Sequence, residues 1–324
     1  MPLQLTKRYR RLRSSEVLRN LVAETTLSVD NLIVPLFISE GKSKKEAIQS
    51  MPGYYRLGLD FLKDEIAELK NLGLRSVLLF VKVPDELKDN EGKEALNPDG
   101  LMQRAVKSIK ELDPDMLVFT DVALDPYSSY GHDGIVVDQK IVNDPTVEVL
   151  AKMAVSHAQA GADFVAPSDM MDGRVKAIRE KLDEAGFTQT GILSYAAKYA
   201  SGFYGPFRDA LDSAPGFGDK KTYQMDFRNS KEALKEVDLD IEEGADIVMI
   251  KPAGAYLDII RTVKNHVNIP VAAYQVSGEY AMIKATAANG WLDEKQVMLE
   301  SLIAIRRAGA DVIATYFAKD FARL

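Results

Sequence analysis

Eight short runs of apolar residues, rich in β-branched side chains, recur along the whole chain. None of them alternates strictly between apolar and polar residues, as a strand with one solvent-facing side would. They are therefore predicted to be strands buried on both faces, which is the pattern of a parallel sheet covered by helices. The runs span residues 31–37, 76–81, 116–124, 163–168, 191–197, 246–252, 270–276 and 311–316.

A tripeptide repeat supports a regular alternation of helices and strands. Its glycine is expected to stop a helix just before an apolar strand begins. Repetition of this unit favours a parallel βα array, and eight strands favour closure into a (β/α)8 TIM barrel, with an open doubly wound sheet as the alternative. No glycine-rich dinucleotide motif follows the first strand, which weakens the usual function of that alternative. The repeats are Gly161-Ala162-Asp163, Gly244-Ala245-Asp246 and Gly309-Ala310-Asp311.

Helices are predicted between several of these strands. Residues 60–71 space their apolar side chains at three and four, as an amphipathic helix does. Asp144 is expected to cap a long helix that ends at Gly161, because a proline follows it at the first helical position. Asp293 is expected to cap the last long helix, in a capping box with Gln296.

The length of 324 residues fits one barrel, which typically needs about 250 residues, with an extension and loop insertions. Residues 31–324 are predicted to form the catalytic barrel. Residues 1–30 carry many charges and few periodic apolar positions, so they are predicted to form an extended N-terminal arm. Such an arm needs another surface to become ordered, and a neighbouring subunit is the natural candidate.

Composition and charge exclude several classes of function. The net charge of −7 gives no general attraction for nucleic acid, and the basic cluster at residues 7–13 is local. No stretch approaches the roughly 20 apolar residues of a membrane span, and no apolar run follows the basic cluster as in a secretory signal. Without cysteine, the chain cannot form disulfides, a thiolate nucleophile or a sulfur-ligated zinc site. We expect a cytoplasmic protein that binds neither nucleic acid nor membrane.

Functional residues of a (β/α)8 barrel collect at the carboxyl ends of its strands. Two lysines, Lys198 and Lys251, emerge there from apolar segments. Burial and mutual repulsion lower the pKa of a lysine and release the neutral amine that attacks a ketone. A Schiff-base enzyme is therefore predicted, and the alternative is a pair of salt-bridged lysines at the barrel mouth. Other polar residues at these ends are Asp121, Asp125, Ser168, Asp169, Ser277 and Tyr316.

A segment rich in glycine and aromatic residues, 201–224, lies between the fifth and sixth predicted strands. It is predicted to be a lid, in which glycines act as hinges and aromatic side chains exclude water. Within it, Arg208 and Lys220 are predicted to bind a substrate carboxylate. An ordinary surface insertion is the alternative.

Residues 121–134, after the third predicted strand, contain three aspartates, Asp121, Asp125 and Asp133, together with His132. Carboxylate oxygens suit magnesium or a monovalent ion. The alternative is a turn for Asp133 and a cap or a substrate contact for Asp121.

At these positions the sequence resembles the porphobilinogen synthase family, also called 5-aminolevulinate dehydratases. The resemblance runs from Arg8 to the C-terminus, and several long motifs in the same order argue against chance similarity. The stretches that carry it are 121–134, 166–173, 194–208, 249–252 and 274–279.

The resemblance implies a condensation of two 5-aminolevulinate molecules into the pyrrole porphobilinogen, with loss of two waters, in tetrapyrrole biosynthesis. Lys251 then forms the Schiff base with the propionate-side substrate, and Lys198 is its acetate-side counterpart. Two lysines can hold both keto substrates in register for bond formation. The implied substrate contacts are Ser277 and Tyr316 on the propionate side and Arg208, Lys220 and Gln224 on the acetate side, with Asp121 and Ser168 as further binding residues.

The sequence departs from the zinc-dependent members, which carry cysteines where Ala123, Asp125 and Asp133 stand here. The resemblance therefore implies the magnesium-type branch, with no zinc expected. Glu236 matches the ligand of an allosteric Mg²⁺ in that branch. Asp125 and Asp133 are candidates for an active-site ion, K⁺ or a second Mg²⁺, or for orienting the substrate amine. The family also implies a homo-octamer held by N-terminal arms.

Two other functions fit parts of the pattern. A class I aldolase on the same barrel would need only one essential lysine. A catalytically silent barrel, acting as an assembly or ligand-binding module, would need neither lysine. The lysine pair together with the lid favours the condensation.

Overall fold

The computed structural model of the chain describes residues 5–41 and 45–324. Its strands are β1 (Leu32–Ser39), β2 (Lys45–Ala47), β3 (Tyr55–Leu57), β4 (Ser76–Lys82), β5 (Leu117–Val122), β6 (Val136–Val137), β7 (Lys140–Ile141), β8 (Phe164–Pro167), β9 (Gly191–Lys198), β10 (Ile247–Lys251), β11 (Val271–Gln275) and β12 (Val312–Thr315). Its α-helices are α1 (Glu16–Leu21), α2 (Leu62–Asn71), α3 (Leu101–Leu112), α4 (Asn143–Ala160), α5 (Arg174–Glu184), α6 (Gly205–Leu211), α7 (Lys231–Glu242), α8 (Leu257–His266), α9 (Ser277–Ala288), α10 (Glu294–Ala308) and α11 (Ala318–Ala322). Short 3₁₀ helices lie at Tyr9–Arg13, Val29–Asn31, Leu59–Phe61, Asp85–Leu87, Lys93–Leu96, Gly202–Tyr204 and Gly254–Tyr256.

Within these residues, eight strands form a closed parallel barrel. They lie side by side in chain order as β1, β4, β5, β8, β9, β10, β11 and β12, and β12 pairs with β1, where Leu32 lies opposite Ile313. The predicted barrel is confirmed. The open doubly wound sheet is wrong, because the last strand closes onto the first. β2 and β3 extend the sheet beside β1, and β6 and β7 form a separate antiparallel pair.

The helix starts differ in detail from those predicted. α2 begins at Leu62, because Leu59–Phe61 form a 3₁₀ helix before it. α4 begins at Asn143, so Asp144 lies within the first turn instead of at the cap position. Asp293 caps α10 as predicted, since its carboxylate accepts a hydrogen bond from the backbone N–H of Gln296 at 2.8 Å.

The Gly-Ala-Asp repeats connect neighbouring barrel strands at their amino ends. Each glycine follows a helix and has a positive φ angle, which allows the chain to turn into the next strand. Each aspartate carboxylate then accepts a hydrogen bond from a backbone N–H at the start of the adjacent strand, so the repeat helps to set strand register. The bonds run from Val118 to Asp163 at 2.8 Å, from Ile192 to Asp246 at 2.7 Å and from Val271 to Asp311 at 2.9 Å.

Aromatic side chains fill the barrel toward the carboxyl ends of its strands. Phe80 packs on Tyr274 with ring centroids 6.3 Å apart, and Tyr274 contacts Tyr195 at 6.4 Å and Tyr316 at 5.9 Å. All four residues are buried. This layer forms an apolar floor beneath the ends of β9 and β10.

Residues 5–31 precede the first barrel strand. The 3₁₀ helix Tyr9–Arg13 and α1 have no buried residue, and Val17 and Leu21 are 79% and 80% exposed. Further along, Leu27 and Val29 pack against the barrel core. The exposed apolar side chains are compatible with the predicted arm, whose residues 1–4 lie outside the described part, and its subunit contacts stay a prediction. Across 5–41 and 45–324, no helix has both the length and the apolar character to cross a membrane.

Candidate active site

The two lysines lie side by side at the carboxyl ends of adjacent barrel strands. Lys198 is the last residue of β9 and Lys251 is the last residue of β10. The two are direct partners in the strand register, and each is only 5% exposed. Strand pairing therefore brings both amines to one place.

Aromatic rings surround the amine of Lys251. Its Nζ lies 5.0 Å from the ring centroid of Tyr195, 5.1 Å from that of Tyr204, 4.9 Å from that of Phe207 and 4.8 Å from that of Tyr274. Burial, followed by the charge of the neighbouring lysine, lowers the pKa of Lys251 to about 7. A large fraction of this amine is therefore neutral near pH 7 and can act as a nucleophile.

Polar groups hold the amine of Lys198 instead. Its Nζ donates a hydrogen bond to the backbone carbonyl of Ser168, the residue that follows β8. The same nitrogen lies 3.6 Å from a carboxylate oxygen of Asp133. Two chemically equal side chains thus have different surroundings, and they can take different roles.

Lys220, in the lid, neutralises two carboxylates of the loop after β5. Its Nζ lies 2.8 Å from Asp133 and 3.3 Å from Asp125, and Gln224 also donates a hydrogen bond to Asp133 at 3.3 Å. Burial by itself would raise the pKa of Asp133, but Lys220 and Lys198 outweigh it and lower that pKa to about 2. Asp133 is therefore ionised near neutral pH.

Asp121 has the opposite character. Burial, followed by the negative charge of Asp125, raises the pKa of Asp121 to about 7. Its Oδ1 has no hydrogen-bond partner among the residues that the structure describes. A buried carboxyl group that titrates near neutral pH can donate or accept a proton during a reaction.

Ser277 and Tyr316, predicted as carboxylate contacts, each contact a residue that in turn contacts Lys251. Ser277 is the first residue of α9, and its hydroxyl accepts a hydrogen bond from the backbone N–H of Phe207 at 2.9 Å. The Tyr316 hydroxyl lies 2.8 Å from the hydroxyl of Tyr274. Both thus contact residues whose rings surround Lys251, Ser277 through the Phe207 backbone and Tyr316 through the Tyr274 side chain. Neither lines the cavity in which the lysines lie.

The cavity around the two lysines has a volume of about 30 Å³, room for about two water molecules. Arg208 from α6 and Lys220 from the lid complete its wall. An organic substrate therefore needs the wall to open, and the segment 201–224 is the part that covers it. This arrangement supports the predicted lid.

A family comparison agrees with this geometry. Residues 6–324 match the model of the family described as delta-aminolevulinic acid dehydratase. The chain belongs to the delta-aminolevulinic acid dehydratase family. The predicted function, porphobilinogen synthase, is thereby confirmed.

Known dehydratases resemble this chain over nearly its whole length. The chloroplastic enzyme of Selaginella martensii is 57% identical, over 99% of this chain and 78% of its own. The enzyme of Halalkalibacterium halodurans is 54% identical, over 98% of this chain and 96% of its own. The crystal structure of the Toxoplasma gondii ME49 dehydratase in complex with the reaction product porphobilinogen has 52% identity and a TM-score of 0.97, and it covers 99% of this chain and 92% of that one.

The donor set at Asp125 and Asp133 does not fit an active-site cation in this dehydratase. The ammonium group of Lys220 lies between the two carboxylates, in the position that a cation would take. Within 5–41 and 45–324, no group of three or more His, Cys, Asp or Glu side chains could hold a metal ion. A metal ion and Lys220 would therefore compete for the same oxygens.

The surroundings of Glu236 fit a hydrated cation better. Glu236 lies on α7 and lines a polar pocket together with Asp172, Glu232 and Asn143. Burial raises the pKa of Glu236, so its ionised form would gain from a nearby positive charge. These carboxylates do not converge as a direct ligand set within the described residues, so an ion here would bind mainly through its own water ligands, as Mg²⁺ often does.

A buried ion pair lies behind the site, and the sequence analysis did not predict it. Arg174 at the start of α5 contacts Asp240 of α7 at 3.1 Å and lies 3.8 Å from Asp169. The Ser194 hydroxyl of β9 also donates a hydrogen bond to Asp240. In the sequence, Arg174 and Asp240 look like ordinary charged residues of helix surfaces, and no local signal distinguishes them.

Proposed function

We propose that this protein condenses two 5-aminolevulinate molecules into porphobilinogen through Schiff bases at Lys251 and Lys198. The observation that carries this proposal is the position of the two buried amines in register at adjacent strand ends. Each amine can take one keto substrate, so the two substrates are held next to each other. The reaction forms one carbon-carbon and one carbon-nitrogen bond in the ring and releases two waters.

Lys251 is the nucleophile for the propionate-side substrate. Its neutral amine attacks the ketone carbon, the carbonyl oxygen leaves as water, and a C=N bond replaces the C=O bond. The rings of Tyr195, Tyr204, Phe207 and Tyr274 face the cation of the protonated imine, which stabilises it by cation–π interaction. The imine acidifies the adjacent carbon, and Asp121, which lines the same cavity, can accept that proton.

Lys198 is the nucleophile for the acetate-side substrate. Its amine is held by the Ser168 carbonyl and by Asp133, so it must lose a proton before it attacks a second ketone. Arg208, Lys220 and Gln224 are the carboxylate contacts of this substrate. All three line the lysine cavity, and a substrate carboxylate would share the Lys220 ammonium group with Asp125 and Asp133.

Ser277 and Tyr316 are the proposed carboxylate contacts of the propionate-side substrate. Both are buried hydroxyl groups next to the rings around Lys251. The Ser277 hydroxyl accepts from the backbone N–H of Phe207 and directs its own proton toward the carbonyl of Phe203 at 3.5 Å. A substrate carboxylate would replace that carbonyl as the acceptor, and the bond from Phe207 can remain.

We also infer a magnesium-type enzyme in which Glu236, with Asp172 and Glu232, holds a hydrated Mg²⁺ that acts allosterically. Such an ion would supply positive charge to a half-buried carboxylate of α7, the helix that also carries Asp240. The position of Lys220 supports an active site in which no ion binds at Asp125 and Asp133.

Assembly and location stay predictions. Exposed apolar residues of the N-terminal arm, such as Tyr9 and Leu21, support a partner surface, and a homo-octamer is the proposed assembly. A cytoplasmic location is proposed, although some relatives are described as chloroplastic.

The deciding experiment measures pyrrole formation from 5-aminolevulinate with Mg²⁺ present and zinc chelated. We expect product, and borohydride reduction with labelled substrate should leave an adduct on Lys251. A folded protein that forms no pyrrole and no adduct under these conditions would contradict the proposal. A single trapped lysine with aldol products instead of a pyrrole would favour a class I aldolase.

Glu236→Ala tests the magnesium site. We expect full activity to need a higher Mg²⁺ concentration, because a carboxylate of the pocket is lost. Glu242→Ala, on the same helix, is the matched control. An unchanged magnesium activation curve would remove Glu236 from the metal site.

A further inference from the structure

The loop before β6 forms a contact surface for the lid that the reaction scheme does not explain. We name residues 130–133 the lid seat and residues 213–224 the lid tip. The backbone N–H of Gly216 donates a hydrogen bond to the carbonyl of Tyr130 at 2.9 Å. The Tyr130 and Phe217 rings meet edge to face at 5.8 Å.

His132 is the centre of this seat. Its ring is fully buried, with Nε2 3.0 Å from the carbonyl oxygen of Phe217 and Nδ1 3.1 Å from the hydroxyl of Tyr223. A carbonyl oxygen can only accept, so Nε2 carries a proton, and Nδ1 forms the second hydrogen bond with the Tyr223 hydroxyl. The Tyr223 oxygen in turn accepts a hydrogen bond from the backbone N–H of Asp133 at 3.3 Å.

The two lid residues that His132 holds stand on either side of Lys220. Phe217 precedes Lys220 by three residues and Tyr223 follows it by three. One imidazole ring thereby holds a residue on each side of Lys220. Lys220 and Gln224, which directly follows Tyr223, both line the lysine cavity. Phe217 also packs on the imidazole, with ring centroids 4.7 Å apart.

Gly131 shows how closely the lid tip approaches the seat. Its φ angle is +64°, and a Cβ atom at this position would overlap the carbonyl group of Ala214. Glycine is therefore required twice, once by its backbone conformation and once by the contact with the lid tip.

We propose that His132 is a positioning residue that holds the lid tip closed and places Lys220 and Gln224 for the second substrate. This role rests on the proposed function, because those two residues are the proposed acetate-side contacts. His132 itself does not line the lysine cavity and need not touch substrate. Its loss should therefore impair second-substrate binding and leave capture of the first substrate at Lys251 intact.

The test compares His132→Phe and His132→Gln with the wild-type protein. Phenylalanine keeps the ring stacking but makes neither hydrogen bond, whereas glutamine can still donate to the Phe217 carbonyl. We expect amide hydrogen exchange of residues 213–224 to accelerate about tenfold or more in His132→Phe, the factor that follows from losing one or two ordinary hydrogen bonds. In the same variant, KM should rise and kcat/KM should fall by a similar factor, and His132→Gln should recover part of both.

Two further measurements separate this role from a general loss of structure. Borohydride capture of labelled 5-aminolevulinate at Lys251 should stay within about twofold of wild type, since the first site keeps its contacts. Tyr223→Phe should show part of the effect of His132→Phe, because the bond from His132 to the Phe217 carbonyl remains. The double variant should add little to His132→Phe, since both changes act on one network. His266→Gln, at an exposed histidine of α8, is the control.

Unchanged exchange of the lid tip in His132→Phe would overturn the proposal, as would an equal loss of capture at Lys251. The exchange measurement needs no turnover, so it tests the contact even where the proposed reaction fails. If the wild-type protein forms no pyrrole, the proposed function fails and the placement role with it. Gly131→Ala provides a second route, and it should also accelerate exchange of residues 213–224.

Discussion

The environment of a single amine explains why Lys251 can act as a nucleophile. Its nearest neighbours are aromatic rings and a second lysine, which exclude water from the amine, and the charges of Asp121, Asp125 and Asp133 offset the effect of burial only in part. Burial, followed by repulsion from Lys198, lowers the pKa of Lys251 to about 7. Lys198, one strand away, has a carbonyl and a carboxylate as neighbours instead. The first Schiff base is therefore expected at Lys251.

Lys251→Met should abolish pyrrole formation, with a loss of about a thousandfold or more, because no other amine has the same place in the site. The variant should fold, and its melting temperature should be at least that of wild type, since a buried titratable amine is replaced by an apolar chain of similar length. Activity and thermal unfolding are measured side by side. Lys152→Met, at an exposed lysine of α4, is the control, and substantial activity in Lys251→Met would refute the assignment.

The rate of borohydride capture at Lys251 should rise with pH up to about 7 and then level off, because only the neutral amine attacks. The free energy of unfolding also depends on the protonation of Lys251, and this contribution should increase as pH rises. Its folded-state pKa lies below the unfolded value of about 10.4, so protonation penalises the native state below about pH 7, and the penalty fades between the two pKa values as pH rises. Capture that is constant from pH 5.5 to 8.5 would contradict the lowered pKa.

At the scale of elements, a buried ion pair joins α5, α7 and β9 directly behind the active site. Arg174 and Asp240 are 2% and 1% exposed, and Arg174 also lies near Asp169. Burial raises the pKa of Asp169 to about 6, and Arg174 opposes this effect. These contacts fix the segment after β8, whose Ser168 carbonyl orients Lys198. The position of the Lys198 amine thus depends on the packing of two helices.

Arg174→Met should lower the free energy of unfolding by roughly 3–5 kcal/mol, because it leaves Asp240 buried without its partner charge. Arg174→Met combined with Asp240→Leu should recover part of the loss, since it buries no unpaired charge. Denaturant midpoints at constant protein concentration measure both effects. Lys181→Met, which removes an exposed ion pair with Glu184, should change stability by no more than about 1 kcal/mol. A similarly small effect of Arg174→Met would contradict the role given to the buried pair.

At the scale of the whole molecule, the barrel is complete by itself but the N-terminal segment is not. β12 closes onto β1, whereas the segment Tyr9–Leu21 leaves its apolar side chains exposed. Such side chains are expected to be covered by another surface. The barrel therefore accounts for the site, and a role of the arm in assembly stays a prediction.

Removal of residues 1–26 should leave a folded barrel and reduce the size of the assembly. The cut keeps Leu27 and Val29, which pack against the core, and removes the exposed apolar residues before them. Sedimentation velocity measures the assembly, and circular dichroism measures the fold. An unchanged sedimentation coefficient, after correction for the lost mass, would contradict a role of the arm in assembly.

Much of the fold and of the lysine site could be predicted from local sequence patterns. Eight doubly buried runs and the Gly-Ala-Asp repeat predict a closed βα barrel, since hydrophobic periodicity and glycine stops depend on near neighbours in the chain. The strand-end position of Lys198 and Lys251 follows from the same patterns. The proposed assignment of the two lysines to two substrates rests on the resemblance to family motifs, not on periodicity.

Contacts between residues far apart in the chain were decided only by the tertiary structure. Lys220 lies on Asp125 and Asp133 across 95 and 87 positions, so its competition with a metal ion is invisible in either segment. Tyr195 and Tyr274 look like strand core in the sequence, and only barrel closure places their rings beneath Lys251. Pairing of charges, burial and pKa depend on distances in space, whereas the sequence by itself determines periodicity, turns and the chemical types available at each strand end.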